Sequence, residues 1–282
     1  MVAATGQAAH ALETPPTGAD VAASAALVEA ATPAGTAPDV VKPKAVRGRW
    51  AADKDRTSVS LPVDPADPIV IRADDGTSMS IGLPATATTE KAVLSRRGTA
   101  VYRDGKHGGA LAAQALDNGG ARALVTIPTA TSADSFTYRL GLPAGVAPHL
   151  QADGSVLMLD AAGTIHGGFD APWAKDATGK AVPTHYTLAG DAVIQHVDVS
   201  ATTAFPVVAD PEGWWGWAKC TTSIGALVAG NLLIATKIRK LGGIPKVIET
   251  LKAARNAQER YKALLYFFGE FAGINAVLTN CK

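Results

Sequence analysis

The chain has 282 residues, long enough for two modest domains, and 47% hydrophobic content is ample to fill their cores. Its formal charge of +1 gives no global basic field for nucleic acid and no acidic excess. That average conceals a division. Residues 214–282 carry 7 Lys and 3 Arg against 3 Glu, a balance of +7, which leaves −6 on the remainder.

Residues 1–11 lack the basic start and apolar run of a signal peptide, yet they end in Ala9-His10-Ala11, the A-x-A pattern of signal-peptidase cleavage. They read as the remnant of a signal sequence that begins upstream, with cleavage after Ala11. Residues 12–48 are dominated by Ala, Pro, Thr and Val without a steady period, which predicts a disordered spacer.

Residues 49–211 break into short runs such as Pro68-Ile-Val-Ile-Arg72, Ala121-Arg-Ala-Leu-Val-Thr-Ile127 and Ser155-Val-Leu-Met-Leu159. Between them lie Asp74-Asp75-Gly76, Asp117-Asn118-Gly119-Gly120 and Asp176-Ala-Thr-Gly179. Strands at this spacing with Gly/Asp/Asn turns predict an all-β sandwich or open barrel. Ala110 to Leu116 has some helical character, but the Asp-Asn-Gly turn that follows favours a hairpin.

Residues 212–282 change character. Glu212-Gly-Trp-Trp-Gly-Trp217 reads as an aromatic hinge, and beyond it a helical period sets in. Ile224, Leu227, Val228, Leu232, Ile234 and Ile238 define one apolar face, with Lys237, Arg239 and Lys240 in the last turn where the helix dipole favours cations. Gly242-Gly243 ends that helix and Pro245 opens a second. A third runs over about 257–271 with Tyr261, Leu264, Leu265, Phe268 and Phe271 inward. The predicted class is therefore segregated α+β: a sandwich followed by a small helical bundle.

Cys220 and Cys281 bracket this tail. In an oxidising compartment they read as one bridge, closing a loop of about 60 residues and stabilising the tail by about 4 kcal/mol in the chain-entropy model. The longest uncharged apolar run, 221–236, is interrupted by Gly225, Gly230 and Asn231 and falls short of the ~20 residues a membrane-spanning helix needs.

Chemistry-bearing patterns are sparse. No G-x-S-x-G stands in the chain, and neither cysteine has neighbours that would make it a nucleophile, which argues against an enzyme and implies no cofactor. A two-residue turn at Gly190-Asp191 would set His185 opposite His196, with Asp198 on the same face. Two His and a carboxylate can ligate a metal, but cross-strand polar pairs on a solvated sheet face account for them more simply. The pairs Asp64/Asp67 and Asp74/Asp75 lack the calcium-loop spacing and read as turn residues. Trp214, Trp215 and Trp217 suit either a packed junction or an interfacial platform.

The runs Phe136-Thr-Tyr-Arg-Leu140, Leu150-Gln-Ala-Asp-Gly-Ser155, Ala171-Pro-Trp-Ala-Lys-Asp176 and Phe205-Pro-Val-Val-Ala-Asp-Pro211 resemble β-rich segments of a family of large secreted actinobacterial proteins. The resemblance covers about residues 99–211. It implies an extracellular or wall-associated, non-catalytic sandwich and brings no catalytic residues. The cationic tail is weakly similar to membrane-active helical peptides such as bacteriocins, whose lysines are drawn to anionic lipid. The expectation is a non-catalytic secreted or cell-envelope protein whose tail meets an unidentified protein or envelope surface, an anionic membrane included, through Trp214, Trp215, Trp217, Lys237, Arg239 and Lys240. The alternative is a precursor whose tail is released after about Pro211 as a membrane-active peptide.

Overall fold

The computed structural model describes residues 18–32, 40–54, 57–104, 109–117, 119–151, 154–161, 165–215, 224, 228, 232–254 and 257–269. A first helix, α1 (Gly18–Ala31), precedes the strands. These are β1 (Val40–Val41), β2 (Lys44–Val46), β3 (Arg49–Lys54), β4 (Thr57–Pro62), β5 (Ile69–Ala73), β6 (Ser78–Ile81), β7 (Val93–Leu94), β8 (Ala100–Arg103), β9 (Ala110–Leu116) and β10 (Ala121–Ile127). There follow β11 (Ser135–Gly141), β12 (Val146–Leu150), β13 (Val156–Asp160), β14 (Ile165–Phe169), β15 (Ala174–Lys175), β16 (Thr184–Ala189), β17 (Ala192–Val197), β18 (Val207–Ala209) and β19 (Glu212–Trp215). Helices α2 (Leu232–Lys240), α3 (Gly243–Ala253) and α4 (Ala257–Phe268) complete the order.

The strands form two antiparallel sheets. The first runs β12-β13-β14-β19-β10-β9-β8-β7, with β1 on β9 and β18 bridging β10 to β15. The second runs β16-β17-β11-β6-β5-β4-β3-β2. Their inner faces share one core, in which Leu61, Ile69, Ile71, Met79 and Ile81 of the second sheet meet Tyr102, Ala113, Ala123, Val125 and Met158 of the first. Each large aliphatic side chain buried this completely contributes about 1.5–3 kcal/mol. Gly213 sits where the layers meet tightly: a Cβ there would lie 2.9 Å from Ile81 Cδ1 of the second sheet and 3.0 Å from Phe169 Cε1 of its own. The hairpin expected at residues 110–127 forms, with Ala115 opposite Ala121 and Leu111 opposite Val125.

The two sheets differ on their outer faces. In β11 the burial alternates, as it must when one face meets water. In β9 every residue is buried, and in β10 all but Thr126. The reason is α1. Val21 and Ala25 pack on Val101 and Ala110, and Val28 packs on Ala112, Leu124 and Val208. Further along the same sheet, Leu157 and Leu159 of β13 point away from the sandwich core and into the apolar cluster of the last three helices. Ile234, Ile238, Val247, Ile248, Leu251, Leu264, Phe267 and Phe268 supply the rest of that cluster, together with Ile224. The architecture is thus three layers, helices over sheet over sheet.

This corrects the segregated α+β class. The protein is mostly β, in two large antiparallel sheets with a few short helices, and among the described residues no disulfide-closed bundle stands apart. Helices of 9, 11 and 12 residues are marginal alone, and these complete their core with β13. The span read as a spacer contains α1, β1 and β2. The aromatic hinge begins as β19, paired with β10 and β14 in the middle of the first sheet. Residues 1–17, Trp217, Cys220, Phe271 and Cys281 lie outside the described residues, as do the side chains of Trp214, Trp215 and Tyr261.

Candidate functional site

Beneath α1 the first sheet carries a row of polar side chains that the strand register aligns. Gln114 on β9 lies opposite Arg122 on β10, which lies opposite Glu212 on β19. Thr99 immediately precedes β8, where Ala100 pairs with Ala113, so it continues the row beside Gln114. Since successive residues of a strand point to opposite faces, Arg122 shares the outer face with Leu124, which packs under α1.

The row is hydrogen-bonded throughout. Arg122 donates from Nη2 and Nε to Glu212 Oε2 at 2.7 and 3.2 Å, and from Nη1 to Gln114 Oε1 at 3.0 Å. Gln114 Nε2 donates to Thr99 Oγ1 at 3.0 Å, and Thr99 Oγ1 donates to Glu29 Oε1 of α1 at 2.8 Å. Ser95 Oγ donates to the same carboxylate oxygen at 3.2 Å and accepts from the Thr99 N–H at 3.0 Å. Arg97 lies 3.6 Å from Glu29 Oε2 at the surface. Thr99, Gln114 and Arg122 are fully buried. A buried charge survives only when paired and hydrogen-bonded, and Glu212 supplies that pairing for Arg122.

A second polar group lies where Trp173, just before β15, meets Asp210, just after β18. Asp210 accepts the Trp173 N–H at Oδ1 (3.1 Å) while its own N–H bonds the Trp173 carbonyl, which Gln195 Nε2 also reaches at 3.4 Å. Burial pushes the Asp210 carboxyl well above the usual carboxylate range; the Trp173 N–H works against this, and the neighbouring Glu212 reinforces it. Burial likewise raises the phenols of Tyr138 and Tyr186, helped by the nearby Asp210. The hydroxyls of both tyrosines and Oε1 of Gln195 are buried without a hydrogen-bond partner.

The residues singled out from the sequence lie elsewhere. His185 and His196 do pair across the β16–β17 hairpin, and Asp198 Oδ2 comes within 3.7 Å of His185 Nδ1. Their rings, however, stack with centroids 4.9 Å apart, and His196 Nε2 is engaged by Thr187 Oγ1 at 2.8 Å. Stacked rings present their faces to each other rather than two nitrogens to one ion. Among the described residues no three His, Cys, Asp or Glu side chains could hold a metal.

Lys237, Arg239 and Lys240 lie on the outward side of α2, whose inward side is Ile234 and Ile238. The same outward side begins with Leu232 and Leu233, 81% and 76% exposed. Leu233 stands one turn before Lys237, and the Lys237 ammonium lies 5.9 Å from the ring centre of Tyr266, itself 61% exposed. The sequence reading placed Leu232 on the inner face; the turn of the helix carries it out.

The buried row was absent from the sequence reading. Its one legible signal is Arg122, a cation inside the otherwise apolar run 121–127. No helix is long and apolar enough to cross a membrane. Comparison of the chain with protein-family models, with curated proteins and with solved structures gives no match.

Proposed function

We propose that this is a non-catalytic, secreted or envelope-associated protein whose helical layer docks on an anionic membrane surface. One observation carries the reading: Leu232 and Leu233 stand exposed at the start of a helix that ends in Lys237, Arg239 and Lys240, and the Lys237 ammonium lies over the exposed ring of Tyr266. Large exposed side chains elsewhere, Val46, Val93 and Leu150, stand on separate strands. An apolar tip beside cations suits the lipid interface, where leucine enters the acyl boundary and each lysine or arginine near an anionic surface contributes about 1 kcal/mol. The +7 balance of residues 214–282 adds a longer-range attraction.

The intact chain is favoured over a released peptide. Cleavage after Pro211 would cut between β18 and β19, both paired with β10, and would strip Leu157 of the helices that cover it.

Sedimentation with vesicles tests both readings. The full chain is expected to bind phosphatidylglycerol-containing vesicles and not phosphatidylcholine ones, with binding weakened by salt, and to leave an entrapped dye inside. Leu232→Ser with Leu233→Ser should abolish binding. Equal binding to both vesicle types, or none, refutes docking, and dye release after proteolysis revives the peptide reading.

A further inference from the structure

Thr99 is held between a carboxylate and a side-chain amide in a way that suits chemistry as well as packing. Its hydroxyl donates to Glu29 Oε1 at 2.8 Å and receives the Gln114 Nε2–H at 3.0 Å. The other end of that amide, Oε1, accepts from the Arg122 guanidinium at 3.0 Å. A hydroxyl with a base on its proton, in contact with a side-chain amide whose oxygen already meets a cation, brings together the groups that nucleophilic acyl substitution needs.

We propose that Thr99 and Gln114 form an intramolecular ester cross-link between β9 and the turn entering β8. The Thr99 Oγ–H proton passes to the Glu29 carboxylate as Oγ attacks Gln114 Cδ. The tetrahedral oxyanion stands where Oε1 now accepts from Arg122. The Cδ–Nε2 bond then breaks, Glu29 returns its proton to the departing nitrogen, and ammonia leaves. No oxidant, reductant or co-reactant is involved, and the product is Thr99 Oγ–Cδ(=O) of residue 114. Nε2 now stands nearest the hydroxyl, and Cδ, one bond from it, reaches the hydroxyl by a small change in the Cα–Cβ and Cβ–Cγ torsions of Gln114.

Three features set the pair apart. The strand register holds nucleophile and amide side by side, giving the high effective concentration of an intramolecular reaction. Thr99, Gln114 and Arg122 are fully buried, so water does not compete for the acyl group. Glu212 fixes Arg122 through two bonds, and Ser95 fixes Glu29; both are positioning residues.

The molecule also contains a contrasting pair. Gln195 Nε2 lies 3.2 Å from Thr184 Oγ1, but that hydroxyl donates to the His196 carbonyl and Gln195 Oε1 has no donor. With neither base nor oxyanion partner, Thr184 and Gln195 stay unlinked.

The test is mass spectrometry of the full chain, denatured, then digested with trypsin. The chain is expected to be lighter than its sequence by one ammonia. Peptides 98–103 and 107–122 should appear as one linked species, cleaved by alkaline hydroxylamine to leave a hydroxamate at position 114. Thr99→Val should restore the full mass, and Glu29→Gln should slow the loss by at least tenfold in freshly folded protein. A wild-type chain at full sequence mass overturns the proposal. So does an ammonia loss confined to peptide 107–122, where Asn118-Gly119 can form a succinimide without Thr99. Because the decisive reading is on the wild type, a variant that fails to fold does not obscure the answer.

Discussion

The Arg122–Glu212 pair offers the sharpest test of how the polar row is held. Arg122 is fully buried and its partner carboxylate is 10% exposed, with two hydrogen bonds between them. Glu212→Gln keeps the shape but leaves the guanidinium charge buried among neutral acceptors, at a cost of about 3–5 kcal/mol. For a protein of this size each kcal/mol lowers the melting temperature by about 2–4 °C, so the loss should be on the order of 10 °C. Arg122→Met, which strands the carboxylate instead, should cost a similar amount. The double variant Arg122→Met with Glu212→Leu removes both charges; what remains is the unmet Gln114 Oε1, worth about 1–3 kcal/mol. The double should therefore be more stable than either single. Denaturant unfolding of all four proteins in a Thr99→Val background keeps the cycle clear of any cross-link. Single substitutions that each cost less than about 1 kcal/mol, or a double equal to their sum, would refute the claim that this pair is buried and coupled.

Other substitutions probe separate parts of the molecule. Asp210 has a folded value well above its unfolded one, so its contribution to stability is fully present below about pH 4 and is lost as pH rises toward the folded value. Asp210→Asn retains an acceptor for the Trp173 N–H and removes that loss; its advantage over wild type should grow from pH 4 upward, and a pH-independent difference would count against a buried neutral acid. At Gly119, with φ +78°, a Cβ would lie 1.9 Å from Thr57 Oγ1, so Gly119→Ala should cost about 2–3 kcal/mol in urea unfolding from backbone strain and displaced packing. Charge reversal at Arg239 and Lys240 should weaken binding to phosphatidylglycerol vesicles at least tenfold in sedimentation while leaving the melting temperature unchanged, because both side chains are exposed.

Much of the β layer was legible because its turns are local chemistry. Asp75 accepts from both the Thr77 N–H and hydroxyl, and Asp176 from the Thr178 N–H and hydroxyl, which is why those Asp-rich segments punctuate the strands. The inward residues Leu264 and Phe268 of α4 also followed from the helical period. The first helix did not. Val21, Ala25 and Val28 make a narrow stripe, but alanine fills exposed and buried positions alike, so the contrast that reveals a period is missing. The same helix explains why 110–116 looked ambiguous: a strand buried on both faces loses its alternation. The row from Glu29 to Glu212 was illegible for a different reason. Its members are far apart in sequence, and only the register of β8, β9, β10 and β19 brings them together.

The placement of the helices bears on what they are for. A two-sheet sandwich can face water on both outer sides, as the second sheet does at β11, so covering the first sheet is not a requirement of the fold. The cover comes in two parts with different chemistry. Over β8 to β10, α1 meets the sheet through Val21, Ala25 and Val28 and through Glu29, and exposes no large apolar side chain of its own among the described residues. That part closes the Thr99–Gln114 pair away from solvent. Over β13, the last three helices bury enough to hold themselves in place yet leave Leu232, Leu233 and Tyr266 in water beside three cations. Burial of those side chains would add to the core of a small domain, and their exposure is unfavourable unless a surface covers them. The division sets one helical element over the sheet as a seal and leaves the other, anchored on Leu157 and Leu159, with an exposed apolar tip.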